Sequence, residues 1–411
     1  MALEDQFVGL DIGTTKVCAV IAEYNDEGKL DVLGVGRSVS TGLRKGVVIN
    51  IEATLRSVAQ AIEAAEQMAG REVEGLYTSI AGAHIEGLNS RGVVAVANRG
   101  REIQANDVSR VIEAARAVVL PMDREIIHVV PQEFIVDGQG GIRDPLDMIG
   151  VRLESEVHII TGSVTAAQNL VKCVNRAGFK VEGLALGALA SAEAVMSQDE
   201  KDMGTLLIDI GGGTSDLMLY RDGAPFYTNV VPLGGNQVTS DISILLRTPF
   251  ESAERLKLQV GCCYAPLIED FDAPALLPGL GLRTPVEVDR RQLCSYIQPR
   301  MSEIFTMVKQ KLEREAQVRS WQALGGGVIL TGGCAQLSGA VELAQEIFGT
   351  SARVGVPYGL GGLVQEYQKP DMATAVGLIK QAAAAWTGEP DAGPVKEKKA
   401  KRSMDGLKNL F

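Results

Sequence analysis

Hydrophobic positions at the start of the chain fall in short runs with the spacing of strands. Residues 7–38 carry three Val/Ile/Leu-rich runs, the second and third joined by Asn25-Asp26-Glu27-Gly28-Lys29, so three strands are predicted. The period then lengthens. Asn50 stands where a cap belongs, Leu55, Val58, Ala59, Ile62 and Met68 recur at helical spacing, and Gly70 supplies a stop. A strand over 76–81 completes an α/β unit. From about 84 to 162 the texture changes to short β segments (92–97, 126–130, 134–136), one helix after Asn106, and a turn-rich string from Asp137 to Pro145, which reads as a small α+β subdomain inserted into the first half. A helix over 164–177, a strand over 181–186 and a helix over 188–196 return to the α/β style. The second half opens on a strand at Leu206 and passes through Pro232-Leu233-Gly234-Gly235. It then enters a helix-rich region with one helix starting at Thr248-Pro249, proline taking the first helical position, and a long one over 289–318. Between these two helices lies an acidic, proline-containing loop over 269–285. A strand running into Gly332-Gly333 and a small-residue helix over 372–386 follow.

Two stretches share a device. Phe7-Val8-Gly9-Leu10-Asp11-Ile12 is an apolar run that ends in an aspartate and turns through Gly13, Thr14 and Thr15 to Lys16. Leu206-Leu207-Ile208-Asp209-Ile210 does the same through Gly211, Gly212, Gly213 and Thr214. A second alternating run follows each, over 17–21 and 217–220, so both are predicted as tight hairpins. Glycines there allow close approach of backbone to ligand, successive N–H groups can hold an anion, and threonine hydroxyls add donors for phosphate. A carboxylate beside a phosphate site fits if a hydrated Mg²⁺ sits between them. Taken singly, Asp-x-Gly is an ordinary hairpin turn. Two copies 198 positions apart are the mark of a duplicated domain facing itself across one nucleotide.

Composition narrows the setting. The chain has 411 residues, 46% of them hydrophobic, enough for two to four domains with real cores. No apolar run approaches the roughly 18 residues of a membrane-spanning helix. The N-terminus lacks the basic start and apolar core of a signal peptide, so a cytoplasmic chain is expected. Cys18, Cys173, Cys262, Cys263, Cys294 and Cys334 form no Cys-x-x-Cys pair and read as reduced core thiols, while His84, His128 and His158 lack metal-ligand spacing. A net charge of −11 argues against nucleic acid as a partner.

Four segments in order, Asp11-Ile-Gly-Thr-Thr-Lys16, Asp209-Ile-Gly-Gly-Gly-Thr214, Leu330-Thr-Gly-Gly333 and Ala373-Thr-Ala-Val-Gly377, resemble the two phosphate motifs, the adenosine motif and the second connecting helix of the actin-like ATPases. Within that superfamily, Gly42-Leu-Arg-Lys-Gly-Val47, Ile112-Glu-Ala-Ala-Arg116, Val130-Pro-Gln-Glu-Phe-Ile-Val-Asp-Gly138, Val171-Lys-Cys-Val-Asn-Arg-Ala-Gly178 and Leu246-Arg-Thr-Pro249 resemble the FtsA family of bacterial cell-division proteins, over nearly all of residues 6–381.

The resemblance implies an actin-like (ribonuclease H-like) duplicated two-lobed α/β fold. Its first lobe would comprise 1–83 and 163–202 with 371–386 returning to it, and the inserted subdomain 84–162. The second lobe would comprise 203–239 and 319–370 with a helix-rich subdomain at 240–318. ATP and Mg²⁺ are the implied cofactors. Gly13, Thr14, Thr15 and Lys16 would face the terminal phosphates, and Gly211, Gly212, Gly213 and Thr214 would cradle them from the other side. Asp11 and Asp209 would lie near Mg²⁺, through water. Gly234 and Gly235 would also line the site, Glu254 and Lys257 would contact the nucleoside, and Gly332 and Gly333 would bound the adenine slot. Gly187 stands where related proteins carry a water-orienting glutamate, so slow or absent turnover is expected. The implied partners are the C-terminal tail of the tubulin-like FtsZ, bound by the helix-rich subdomain, further copies of the chain in a filament, and other division proteins through the inserted subdomain.

The end of the chain extends this reading. Residues 387–399 read as a linker and 400–411 as an amphipathic membrane-targeting tail. Over 396–411 six basic residues (Lys396, Lys398, Lys399, Lys401, Arg402, Lys408) face two acidic ones, Glu397 and Asp405, in a chain that is acidic as a whole. On a helix Met404, Leu407, Leu410 and Phe411 fall within roughly 120° of arc. Such a segment can lie in the headgroup layer of an anionic membrane but is too short to span it. The expected location is the cytoplasmic face of the inner membrane at the division site. The rival readings are a sugar kinase of the same superfamily, which needs a carboxylate base that the motifs do not supply, and a dehydrogenase, whose Gly-x-Gly-x-x-Gly is absent.

Overall fold

The computed structural model describes residues 6–97, 102–269, 275–277 and 286–387. The two halves are built on the same sheet. In the first, β1 (Gln6–Ile12), β2 (Lys16–Tyr24) and β3 (Leu30–Val39) form an antiparallel meander. The helix α1 (Ile51–Ala69) follows, its Asn50 cap accepting from the Ala53 N–H at 3.0 Å and Gly70 closing it in the left-handed conformation. The strand β4 (Gly75–Ile80) then pairs parallel with β1 on its other side.

After the insertion come α3 (Val164–Arg176, numbered after α2 below), β9 (Lys180–Leu186), which pairs parallel with β4, and α4 (Gly187–Val195). In the second half β10 (Thr205–Ile210), β11 (Ser215–Arg221) and β12 (Ala224–Val231) make the same meander, and β13 (Gly327–Thr331) and β14 (Ala352–Val354) extend it in parallel beyond β10. The strand orders therefore match, β3-β2-β1-β4-β9 against β12-β11-β10-β13-β14, with a short β15 (Gly361–Gly362) added beside β3.

The inserted subdomain is a four-stranded antiparallel sheet in the order β5-β8-β6-β7, from β5 (Glu86–Ala95), β6 (Arg124–Val136), β7 (Gln139–Ile142) and β8 (Arg152–Ser163), with α2 (Ala105–Arg116) against it. Here the sequence reading needs correction. The segments expected at 126–130 and 134–136 are one strand through Pro131, tolerated because the pairing with β8 slips at this point, between Glu156 and Val157. The strand β8 itself is not announced by the sequence pattern. Its interior positions include Glu154 and His158, which hide the alternation; Glu154 is paired with Arg91 and Arg152, and His158 with Asn89 and Thr228.

The helix-rich region adds α5 (Gly235–Leu245), α6 (Phe250–Val260) and α7 (Arg290–Glu315), and α8 (Ala340–Phe348) follows β13. Of these, α5 and α8, like β12, are further additions to the sequence reading. Pro249 is the N-cap of α6 rather than its first helical residue. The last described helix, α9 (Ala373–Thr387), packs on α4 so closely that a Cβ on Gly377 would strike the Ala190 backbone. These two small-residue helices join the halves beneath the cleft.

The insertion also reaches the second half directly. Asn89 Nδ2 donates to the Phe226 carbonyl at 3.1 Å, Gln132 Nε2 to the Pro225 carbonyl at 2.8 Å, and His158 Nε2 meets Thr228 Oγ1 at 2.9 Å. All six cysteines are free and buried. Among the described residues no helix is long and apolar enough to cross a membrane. The linker and tail read at 387–399 and 400–411 lie outside the described residues, apart from Thr387 at the end of α9.

Candidate functional site

The two hairpins close in the same way: the Gly13 N–H donates to the Lys16 carbonyl at 2.9 Å, and the Gly211 N–H to the Thr214 carbonyl at 2.9 Å. None of Gly13, Gly211, Gly212 or Gly213 has a positive φ, so the backbone angles alone do not demand glycine. Close approach does. A Cβ on Gly213 would lie 2.7 Å from Thr14 Oγ1, and one on Gly212 would strike Thr15. The turns thus face each other, threonine to glycine, across one cleft. Gly46 joins them, its N–H 3.1 Å from Thr14 Oγ1, so the Gly42–Val47 motif contributes a donor beside the first hairpin. Lys45 and Gly46 both take the left-handed conformation to bring it there.

Asp11 and Asp209 occupy the same place in their strands, one residue before the end. Asp11 accepts from Ser79 Oγ at 2.8 Å, and Asp209 from Ser191 Oγ at 2.7 Å and Thr374 Oγ1 at 3.4 Å. Asp216, opposite Asp209 in the β10–β11 ladder, adds a third carboxylate and accepts from Thr214 Oγ1 at 3.0 Å. Burial raises Asp11 above the ordinary carboxylate range, with Lys16 opposing it. Burial pushes Asp209 up to about 6, the Asp11 charge adding to it, and Asp216 up to about 7, helped by Asp209. Three crowded carboxylates that resist ionising are a donor set that a hard cation would relieve. No group of three or more acidic, histidine or cysteine side chains among the described residues is placed to bind a metal directly, so Asp11, Asp209 and Asp216 could act on a cation only through its waters.

These residues line a cavity of about 150 Å³ with Gly13, Thr14, Thr15, Lys16, Gly211 to Thr214, Gly332 and Gly333. It shares Thr15, Gly211, Gly212, Gly333 and Asp371 with a second cavity of about 450 Å³, lined also by Gly235, Glu254, Lys257 and Leu337. In the larger space Lys257, nearly buried, pairs with Glu254 at 2.7 Å and donates to Thr239 Oγ1 at 2.9 Å and the Gly235 carbonyl at 3.2 Å. The i,i+3 spacing on α6 points both side chains the same way.

Gly332 needs glycine twice over, for its φ of 83° and because a Cβ would meet Asp209 Oδ1. Gly333 faces open space. Gly234 lines neither cavity; it caps α5, whose first amides from Gly235 and Asn236 donate to the Gly211 and Gly212 carbonyls at 2.9 and 2.8 Å. Gly187 does line the smaller cavity, with room at its Cβ position, the nearest atom being Thr374 Cγ2 at 3.6 Å. The membrane-contact residues Met404, Leu407, Leu410 and Phe411 lie outside the described residues.

Sequence reasoning missed Ser79, Ser191, Asp216, Asp371 and Thr374. A charged residue two places past Thr214, in a strand otherwise apolar on that face, was the available signal for Asp216. Lys16 is not simply aimed at the cleft: its ammonium lies 2.6 Å from an Asp371 carboxylate oxygen and also donates to the Asp371 carbonyl. Burial pushes the Asp371 carboxyl up, but the Lys16 charge and its hydrogen bond outweigh that and hold the group below its ordinary value.

Comparison with known proteins agrees with this architecture. The profile of the family described as Cell division protein FtsA matches residues 206–377, and that of the SHS2 domain inserted in FtsA matches residues 82–161. Cell division protein FtsA of Borreliella burgdorferi is 48% identical over 90% of this chain and 89% of its own length. The proteins of that name from Pseudomonas aeruginosa and Escherichia coli K12 are 44% and 37% identical, each over 90% of this chain and 88% and 89% of theirs.

Among solved structures, the PilM–PilN type IV pilus biogenesis complex superposes with a TM-score of 0.65 at 16% identity, covering 92% of this chain and 98% of that one. ADP-bound MreB5 of Spiroplasma citri superposes with 0.53 at 14%, covering 93% and 96%. At such identities these two show the fold alone, which is actin-like. The sequence relatives carry the biology: the chain belongs to the FtsA family of cell-division proteins and has a role in division.

Proposed function

We propose that the chain is an ATP-binding, actin-like tether, joining FtsZ filaments to the cytoplasmic face of the membrane and helping to assemble the division ring. The observation that carries the nucleotide reading is the pair of matched hairpins facing across a cleft of three carboxylates that opens into a larger pocket. The Gly13 to Lys16 and Gly211 to Thr214 turns would hold the terminal phosphates between them. Asp11, Asp209 and Asp216 would hold Mg²⁺ through its waters, and the ion would neutralise phosphate charge. Lys257 and Glu254 would meet the nucleoside, with Gly333 at the adenine slot.

Turnover on this reading is slow. Gly187, at the head of α4, brings no acid to the cleft to orient an attacking water. Asp216 does put a carboxylate in the cleft, the kind of group a phosphotransferase needs. The division reading is still favoured, because the relatives that match nine-tenths of this chain are division proteins.

Attachment would rest on the tail at 400–411, its apolar side chains in the headgroup layer and its lysines on anionic lipid. One such tail binds weakly. Self-association into filaments, as in the double helical filament of MamK, would multiply that affinity through avidity. The helix-rich subdomain would take the FtsZ tail, and the inserted subdomain would face other division proteins.

The test is co-sedimentation of FtsZ filaments with anionic liposomes. Full-length chain should carry FtsZ into the pellet, and a variant lacking 400–411 should leave it in the supernatant. Undiminished recruitment by the truncated chain would refute the anchor.

A further inference from the structure

Lys16 closes the first hairpin at the start of β2, on the first half of the molecule. Asp371 belongs to a turn tied to the second half: the carbonyl of Pro370 accepts from the Gly332 N–H at 3.1 Å and from Thr331 Oγ1 at 3.0 Å. Their ion pair therefore bridges the halves on the wall of the cleft, and Asp371 lines both cavities. Both side chains are largely withdrawn from solvent, at 27% and 17% exposure. The second Asp371 oxygen, Oδ1, is buried without a hydrogen-bond partner among the described residues. A half-buried carboxylate with one oxygen unsatisfied, set against the lysine of the hairpin, is an arrangement that a better anion can displace.

We propose that Asp371 is a positioning residue that stands in for the terminal phosphate, holding Lys16 across the cleft until a nucleotide arrives and takes the ammonium in exchange. This rests on the ATP-binding reading and adds to it a step in which one anion replaces another. Once Lys16 turns to phosphate, the bridge to the Pro370–Asp371 turn at the foot of α9 loses its strongest contact. Nucleotide occupancy is thereby coupled to the helix that joins the two halves. Arg37, whose charge also acts on Asp371, would help to balance the released carboxylate.

The experiment uses the full chain and two readouts. In the absence of nucleotide, the rate at which acetic anhydride modifies Lys16 is followed by mass spectrometry in wild type, Asp371→Asn and Asp371→Ser. Affinities for ATP and for adenosine are measured by titration calorimetry on the same proteins. Both variants should be modified at Lys16 several-fold faster than wild type and should bind ATP about fivefold tighter, the scale of one partly exposed ion pair removed. Adenosine, which has no phosphate to take the lysine, should bind all three alike. Unchanged labelling of Lys16, or weaker ATP binding by the folded variants, would overturn the exchange. If wild type and variants all ignore ATP while the labelling responds, the ion pair is real but the nucleotide reading fails, and the exchange with it.

Discussion

Replacing Asp209 by asparagine should stabilise the nucleotide-free protein while disabling its site. The side chain stands at about 6 against an ordinary 3.8, raised chiefly by burial and also by Asp11. A shift of about two units corresponds to about 3 kcal/mol carried by the ionised form. The carboxylate also sees the solvent of the cleft, which cuts the figure to about 1–2 kcal/mol. An asparagine oxygen can still accept from Ser191, so little packing is lost.

The sign follows from the direction of the shift. A raised value means that the folded state holds the proton more tightly than the unfolded state. Wild-type stability is therefore favoured at low pH and declines as pH climbs through about 6. The Asp209→Asn variant lacks this slope, because its amide does not titrate. Urea unfolding at pH 4.5, 6 and 8 should show the variant drawing ahead as pH rises, with most of its gain present at pH 8. A variant equal to or less stable than wild type at pH 8, or a gap that does not depend on pH, would refute the reasoning.

Thr228→Val should cost about 1–3 kcal/mol in urea unfolding, because it leaves the buried His158 Nε2 without its partner at the seam between the inserted subdomain and β12. An unchanged midpoint would show that the seam contributes nothing. Gly332→Ala forces a side chain into positive φ and against Asp209, and should cost about 1–3 kcal/mol while lowering nucleotide affinity; wild-type stability and binding would contradict the geometry. Gly187→Glu has room in the cleft and should raise phosphate release above a slow wild-type rate, as read by a phosphate-sensor assay. A wild-type rate typical of a kinase, about 1–100 per second with a sugar as acceptor, would instead favour the phosphotransferase reading.

What could be read from the chain was whatever local chemistry dictates. The hairpins at Asp11 and Asp209 declare themselves because strand, carboxylate and turn sit within ten residues of one another. The cap at Asn50 and the stop at Gly70 are equally local. The strand β8 is hidden because its interior carries Glu154 and His158, which become acceptable only once Arg91, Asn89 and Thr228 arrive from elsewhere in the chain. Asp371 is hidden for the same reason. Its significance lies in Lys16, 355 residues away, and no spacing rule links the two. Pro131 misleads in the other direction, breaking a strand on paper that a register slip keeps whole. The glycines of the second hairpin are expected to make room for a ligand; the structure adds that they also make room for Thr14 and Thr15.

The central claim is that the facing hairpins form one Mg-ATP site. Isothermal titration of the full chain with ATP and Mg²⁺ tests it most directly, with Gly213→Asp as the comparison. A Cβ at that position would lie 2.7 Å from Thr14 Oγ1, and the added carboxylate would face the phosphates. Wild type is expected to take up one Mg-ATP per chain and the variant none. A wild-type chain that binds no Mg-ATP, or a Gly213→Asp chain that binds it as wild type does, would contradict the account.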